Sequence, residues 1–148
     1  MRIEEKVNEI VDVCIVDRLD LNIAHLSYMF SAHILYNHIE NSYMSTRGID
    51  VIALKLDEPH KMWKAFCHEA GHMFLHCTDQ RHMPRTFNRM QEAEAEKFSI
   101  LLMMPEKLIM KHELYDAQQV ANYFDVPFGL ALQRIEMLIE QTRIVTYN

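Results

Sequence analysis

The stretch FCHEAGHMFLHC, residues 66–77, carries three histidines spaced four apart, with a glutamate directly after the first. At about 100° per residue, Trp63, Phe66, Cys67, Ala70, Met73, Phe74 and Cys77 fall on one side of a helix. His68, Glu69, His72 and His76 fall together on the other. One face is apolar enough to be buried and the other gathers groups of one chemistry, so the segment reads as an amphipathic helix. Gly71 costs such a helix about 1 kcal/mol relative to alanine and implies close approach by a neighbouring element.

Imidazoles four residues apart stack on adjacent turns, so His68 and His72 can bind one tetrahedral Zn2+ ion. Glu69 points to the same side, about one side-chain width away. It is placed to take a proton from a zinc-bound water rather than to hold the metal. This is the HExxH pattern, whose chemistry is peptide hydrolysis at zinc. His76 is not expected as a third ligand. Three histidines on consecutive turns spread over about 12 Å at about 1.5 Å per residue, too far for one ion. It reads as a helix-end residue that hydrogen-bonds locally. With nine histidines in the chain the motif can arise by chance, but the apolar face opposite it argues for a built site.

A third ligand is expected from QEAEAEKFSILLMMP, residues 91–105. Glu92 and Glu96 lie four apart on one helical face, and Glu94 points to nearly the opposite side. If Glu92 ligates the metal, Glu96 stands one turn along to accept a hydrogen bond from a liganding histidine and fix its tautomer. The competing arrangement uses Glu94 alone. A third possibility is that all three carboxylates form a solvated acidic face, but the LLMM that follows marks the helix as largely buried.

Working outward, Ile3, Val7, Ile10, Val11 and Cys14 recur at helical spacing and predict a helix over 3–18. LNIAHLSYMF (21–30) and AHILYNHI (32–39) are rich in β-branched and aromatic residues and read as strands. Gly48 opens GIDVIALKL, which reads as a buried strand. Asp57, Glu58 and Pro59 start the HExxH helix, which runs from about 58 to 76. CTDQRHMPRTFN (77–88) reads as a loop, and a helix follows at about 89–104. Pro105 closes that helix and suits the first turn of the next. The remainder, 105–141, reads as three helices with a turn at Asp125–Pro127. Strands fall mainly within 20–56 and helices follow, so the fold class is α+β. A small mixed or antiparallel sheet is expected to pack on the HExxH helix.

The 148 residues bound this to one domain, 1–148, with room for a proper core. About half the residues are apolar and 24% are charged, an ordinary globular balance. No apolar run approaches the roughly 18–20 residues that a membrane span needs. The amphipathic, acidic start MRIEEKVNEIVDVCIVDRLD reads as neither a signal nor a transit peptide. Cys14, Cys67 and Cys77 are an odd number and fit no disulfide scaffold, so a reducing cytoplasm is the expected location. A net charge of -6 argues against broad nucleic-acid binding through phosphates.

HEAGHMFLH (68–76) and EAEAEKFSILLMMP (92–105) together resemble the ImmA/IrrE family of small zinc metallopeptidases. The second block is similar to its E-x-E-A-N-x-F-A-x-x-L-L-M-P signature. The resemblance spans roughly the middle third of the chain and implies a gluzincin-like core. By position it implies His68, His72 and Glu92 as metal ligands and Glu69 as the base. Glu96 stands where the family has Asn, and a carboxylate can accept a hydrogen bond but cannot donate one. Ser99 replaces a small residue. The resemblance further implies a narrow peptidase, often encoded by phages or integrative elements, that cuts a helix-turn-helix repressor as its protein partner.

AQQVANYFDVPFGLALQRIEML (117–138) has the rhythm of a helix-turn-helix, but its second helix offers only Gln133 and Arg134 beside Glu136 and Glu140. No direct nucleic-acid binding is expected from it. It reads instead as a helical hairpin packed through Val120, Phe124, Leu130, Leu132, Ile135 and Leu138. The oxyanion donor is left open among Tyr43, His82, Arg89 and His112. Two other functions compete with the peptidase: a zinc-stabilised binding module that sequesters a partner uncut, and a DNA-binding regulator. The first tolerates Glu69→Gln, and the second predicts duplex affinity that falls steeply with salt.

Overall fold

A computed structural model describes residues 2–76 and 85–147 of the chain. In order, α1 spans Ile3–Cys14, α2 Ile23–Phe30, β1 Ala32–Asn37, β2 Ser42–Thr46, β3 Ile49–Lys55 and α3 Pro59–Leu75. Then come α4 (Arg85–Met103), α5 (Glu106–Lys111), α6 (Ala117–Phe124) and α7 (Phe128–Tyr147). The class is mixed α+β, and the sheet lies early in the chain with most of the helices after it. Among the described residues, no helix is long and apolar enough to cross a membrane.

The first helix stops at Cys14, short of the expected 18, and a 3-10 turn at Arg18–Asp20 follows, capped by Asp17. The expected strand over 21–30 is instead α2. Asn22 caps it by accepting the His25 N–H at 2.8 Å, and Ser31 ends it in the left-handed region at φ 56. Ile23, Leu26 and Phe30 recur at helical spacing, with Leu26 fully buried and the other two packed on the core. Only Ile23 in LNIAHLSYMF is β-branched, so the apolar period outweighs the aromatic content.

In the sheet, β3 is central, parallel to β1 and antiparallel to β2. β2 and β3 are joined by Arg47 and Gly48, both at positive φ (52 and 78), the two-residue turn that suits strand twist. Asn37 organises the β1–β2 connection by accepting the N–H groups of Ile39 and Glu40 at 2.7 and 2.9 Å. Along β3 only Ile52 and Leu54 are buried, on the side that packs against α3. The expected buried strand is therefore fully buried only at Ile52 and Leu54 and half-buried at Val51 and Ala53.

Glu58 precedes α3 and Pro59 occupies its first turn, as the sequence implies. Residues 77–84 of the expected 77–88 loop lie outside the described residues. The other four, 85–88, already belong to α4, which starts four residues before the expected 89. Pro105 sits at the N-cap of α5, just ahead of its first turn. Asp116 caps α6, Asp125 at φ 55 ends it, and α7 runs six residues past the expected 141. Phe66, Cys67, Ala70 and Met73 of α3 pack with Phe98, Leu101 and Leu102 of α4 at the centre of the core. The core reaches α1 through Val7 and Val11, and the C-terminal helices through Val120 and Ala131. Arg134 of α7 is buried, and its Nε donates to the Met104 carbonyl at 2.8 Å.

Candidate metal centre

Two antiparallel helices build the centre. His68 and His72 stand one turn apart on α3, and Glu96 and Glu92 face them in reverse order from α4. The helices can come this close because α3 has no side chain at Gly71. A Cβ there would lie 3.0 Å from the Cα of Ala95, 3.1 Å from its carbonyl oxygen and 3.1 Å from the Cβ of Phe98. The close approach that Gly71 implies is therefore made by α4.

The Glu92 carboxylate bridges the two imidazoles. Oε2 lies 2.8 Å from His68 Nε2, and Oε1 lies 2.9 Å from His72 Nε2. The ligand atoms of His68, His72 and Glu92 all fall within 4.8 Å of one another. Bonds of about 2.05 Å to a tetrahedral ion would set donor atoms about 3.3 Å apart, so this donor set fits a Zn2+ ion with small side-chain adjustments. His76 is not part of that group.

On the far side of its ring, His68 Nδ1 sits 3.1 Å from Glu96 Oε2, and Lys64 Nζ holds the other oxygen at 3.2 Å. The carboxylate at position 96 is therefore suited to accept from a liganding imidazole, and its inability to donate is no handicap here. The hydrogen bond to Glu96 raises the His68 pKa to about 9, against the effect of burial, with Glu92 and Glu69 adding to it. The same contact with His68 draws Glu96 down to about 2. Burial favours the neutral form of His72 and lowers its pKa. Burial works against the Glu92 carboxylate too, but the bonds and charges of His68 and His72 prevail and lower its pKa.

Glu69 is almost fully buried beside the cluster. Burial pushes its carboxyl up to about 7; His68 opposes the rise, while Glu92 and Glu40 add to it. No hydrogen bond contributes to that shift, so the group can exchange a proton near neutral pH, as a general base requires. Glu40 belongs to the β1–β2 connection, whose charge is therefore felt at Glu69.

Elsewhere, the geometry departs from the helical wheel. The backbone at His76 has left the helix (φ -136, ψ 115), which turns its ring back towards α4. His76 Nδ1 lies 3.2 Å from His72 Nδ1, and His76 Nε2 lies 3.2 Å from Glu94 Oε1. Glu94, expected to point away from the site, reaches this second tier. Lys64 belongs to no motif, although its place four residues before His68 puts it on the same face. Of the oxyanion candidates, the Tyr43 hydroxyl donates to Asp50 at 2.6 Å, and the His112 ring lies tilted against that of Tyr123 with centroids 4.8 Å apart. Arg89 is exposed on α4, and His82 lies outside the described residues. A groove of about 250 Å³ beside the cluster is lined by Lys61, Lys64, Ala65, His68 and Glu96.

A family model described as the IrrE N-terminal-like domain, of the Peptidase M78 family, matches residues 30–136. The match covers β1 to the first half of α7, including both helices of the cluster. No curated protein matches the chain.

Proposed function

The chain belongs to the IrrE N-terminal-like domain family of peptidases, and from that premise we propose that it is a zinc-dependent endopeptidase acting on a regulatory protein. We take the substrate to be a helix-turn-helix repressor, as the likeness of 68–76 and 92–105 to the family's motifs suggests. The observation that carries the reading is the convergence of two imidazoles and one carboxylate on a common point, with a buried, proton-exchanging carboxyl beside them.

When bound, the ion supplies Lewis-acid chemistry, polarising the scissile carbonyl and acidifying water. His68, His72 and Glu92 would hold it. Glu69 accepts the proton of the attacking water and returns it to the leaving amine, a role that suits a carboxyl buried to a pKa of about 7. Glu96, fixed by Lys64, keeps the proton of His68 on Nδ1 and leaves Nε2 free to bind. The reading places the protein in the cytoplasm, in keeping with free thiols at Cys14 and Cys67. It assigns no duplex-reading role to the C-terminal helices, since Arg134, one of their two candidate contacts, is engaged inside the core.

The test begins with zinc per chain in the wild type and Glu92→Ala. One equivalent in the wild type and a sharp loss in Glu92→Ala support the site. Full zinc in Glu92→Ala would move the third ligand to Glu94 or Glu96. Cleavage of a repressor encoded beside this protein is then followed for the wild type and Glu69→Gln. The variant is expected to keep its metal and lose turnover by about 100-fold or more. A wild type that binds the repressor and leaves it intact, with Glu69→Gln binding equally well, would replace the peptidase with a sequestering module.

A further inference from the structure

We propose that His76 and Glu94 are positioning residues for His72, forming with it a hydrogen-bonded chain that fixes which nitrogen of His72 faces the metal. The inference rests on the zinc-site reading. Its ground is three side chains in line: His72 Nε2 points at Glu92, His72 Nδ1 meets His76 Nδ1 at 3.2 Å, and His76 Nε2 meets Glu94 Oε1 at 3.2 Å. Both rings are buried, with side-chain exposures of 5% and 6%, so protein groups largely determine their orientation.

The proton positions follow from elementary bookkeeping. A ligand nitrogen must carry a lone pair, so metal binding at His72 Nε2 puts the ring proton on Nδ1. That N–H points at His76 Nδ1, which must then be the acceptor, because two N–H groups at 3.2 Å would repel. His76, bare at Nδ1, holds its own proton on Nε2. There it donates to Glu94 Oε1. One arrangement satisfies all three contacts.

The two ligand histidines thus receive matched support by different routes. His68 donates directly to Glu96, whereas His72 donates through an intervening imidazole to Glu94. The indirect route follows from the helix end. His76, released from helical geometry at the C-cap, turns back and sets its ring between His72 Nδ1 and Glu94. A third histidine at this spacing is therefore useful without binding the ion.

The experiment is a zinc titration against a chromophoric chelator. It compares wild type, His76→Phe, Glu94→Ala, Glu94→Gln, the double variant His76→Phe/Glu94→Ala, and His72→Ala. His76→Phe and Glu94→Ala are each expected to weaken zinc about 10- to 100-fold, as loss of a ligand's supporting partner does. Glu94→Gln, which keeps an acceptor oxygen, restores most of the affinity. The double variant loses no more than His76→Phe alone, because both residues act through one chain. The metal-free forms of the Glu94 variants should melt with the wild type, which separates positioning from general destabilisation. Imidazole nitrogen resonances of the zinc-loaded wild type provide a check that needs no variant: His72 protonated at Nδ1 and His76 at Nε2. The proposal is overturned if His76→Phe and Glu94→Ala bind zinc within about twofold of wild type while His72→Ala loses it, or if His76 carries its proton on Nδ1. A wild type that takes no zinc, and so matches His72→Ala, would remove the metal site itself and this inference with it.

Discussion

Lys97 reaches from α4 to Glu4 on α1, its Nζ 2.7 Å from a carboxylate oxygen. Burial tends to raise the Glu4 pKa from 4.5, but the hydrogen bond and charge of Lys97 outweigh it, and the net shift is downward. A carboxylate depressed in the folded state contributes stability above its unfolded pKa and loses it as pH falls through the folded value. Lys97→Met is therefore expected to lower stability by about 0.5–1 kcal/mol at pH 7, a modest figure because the lysine is partly exposed. The difference should shrink steadily as denaturation is repeated below pH 4.5; a gap that persists undiminished in acid would show that packing, not charge, holds the pair. At this scale the sequence is most informative where spacing alone sets direction. His68, Glu69 and His72 can be placed on one face because they lie inside a regular helix. His76 cannot, because its ring direction depends on a backbone that has already left the helix.

α3 and α4 meet where Gly71 faces the main chain of Ala95. Alanine is the better helix former by about 1 kcal/mol, so an isolated helix would gain from Gly71→Ala. In the protein the added carbon would press on a Cα at 3.0 Å and a carbonyl oxygen at 3.1 Å, neither of which can rotate away. Overpacking of this kind costs about 1–3 kcal/mol, and it exceeds the helical gain. Gly71→Ala should lower the thermal midpoint and weaken zinc, because relieving the clash parts Glu92 from the histidines. Equal stability with unchanged zinc affinity would mean the seam is looser than its distances indicate. The two helices of the seam were legible from their periodicity, and Gly71 from its unfavourable propensity. α2 departs from the expected strand because, in a segment of only eight residues, a three-to-four residue apolar period outweighs aromatic content. α4 starts earlier than expected, since TFN lacks the apolar rhythm that would signal the helix there.

Across the molecule, the cluster joins the two central helices, so any ion it binds is linked to global stability. Zinc at about 100 times its Kd should stabilise the fold by about 2.7 kcal/mol, and chelation should lower the melting temperature accordingly. A melt that is indifferent to chelator would separate the cluster from zinc. A second tie, Arg134 to the Met104 carbonyl, fastens α7 to the end of α4. Arg134 is 2% exposed, and burial lowers its pKa to about 10. Arg134→Ala should cost about 2–4 kcal/mol, through a cavity and an orphaned carbonyl, and denaturant unfolding would measure it. The α+β class could be read from the order of the segments. The burial of Arg134 could not, because an arginine beside Glu136 in a surface-like pattern looks solvated until the rest of the chain is folded around it.

The contact at Gly71 also bears on how this protein can diverge. Its obstacles at Ala95 are main-chain atoms, so no replacement at position 95 can make room for a larger residue at 71. Compensating pairs of substitutions, the usual means by which packed positions drift together, are closed to this one. Among natural variants that keep the helix crossing, position 71 should stay glycine whatever stands at 95. Lineages that lose it should also have lost the histidine–glutamate cluster.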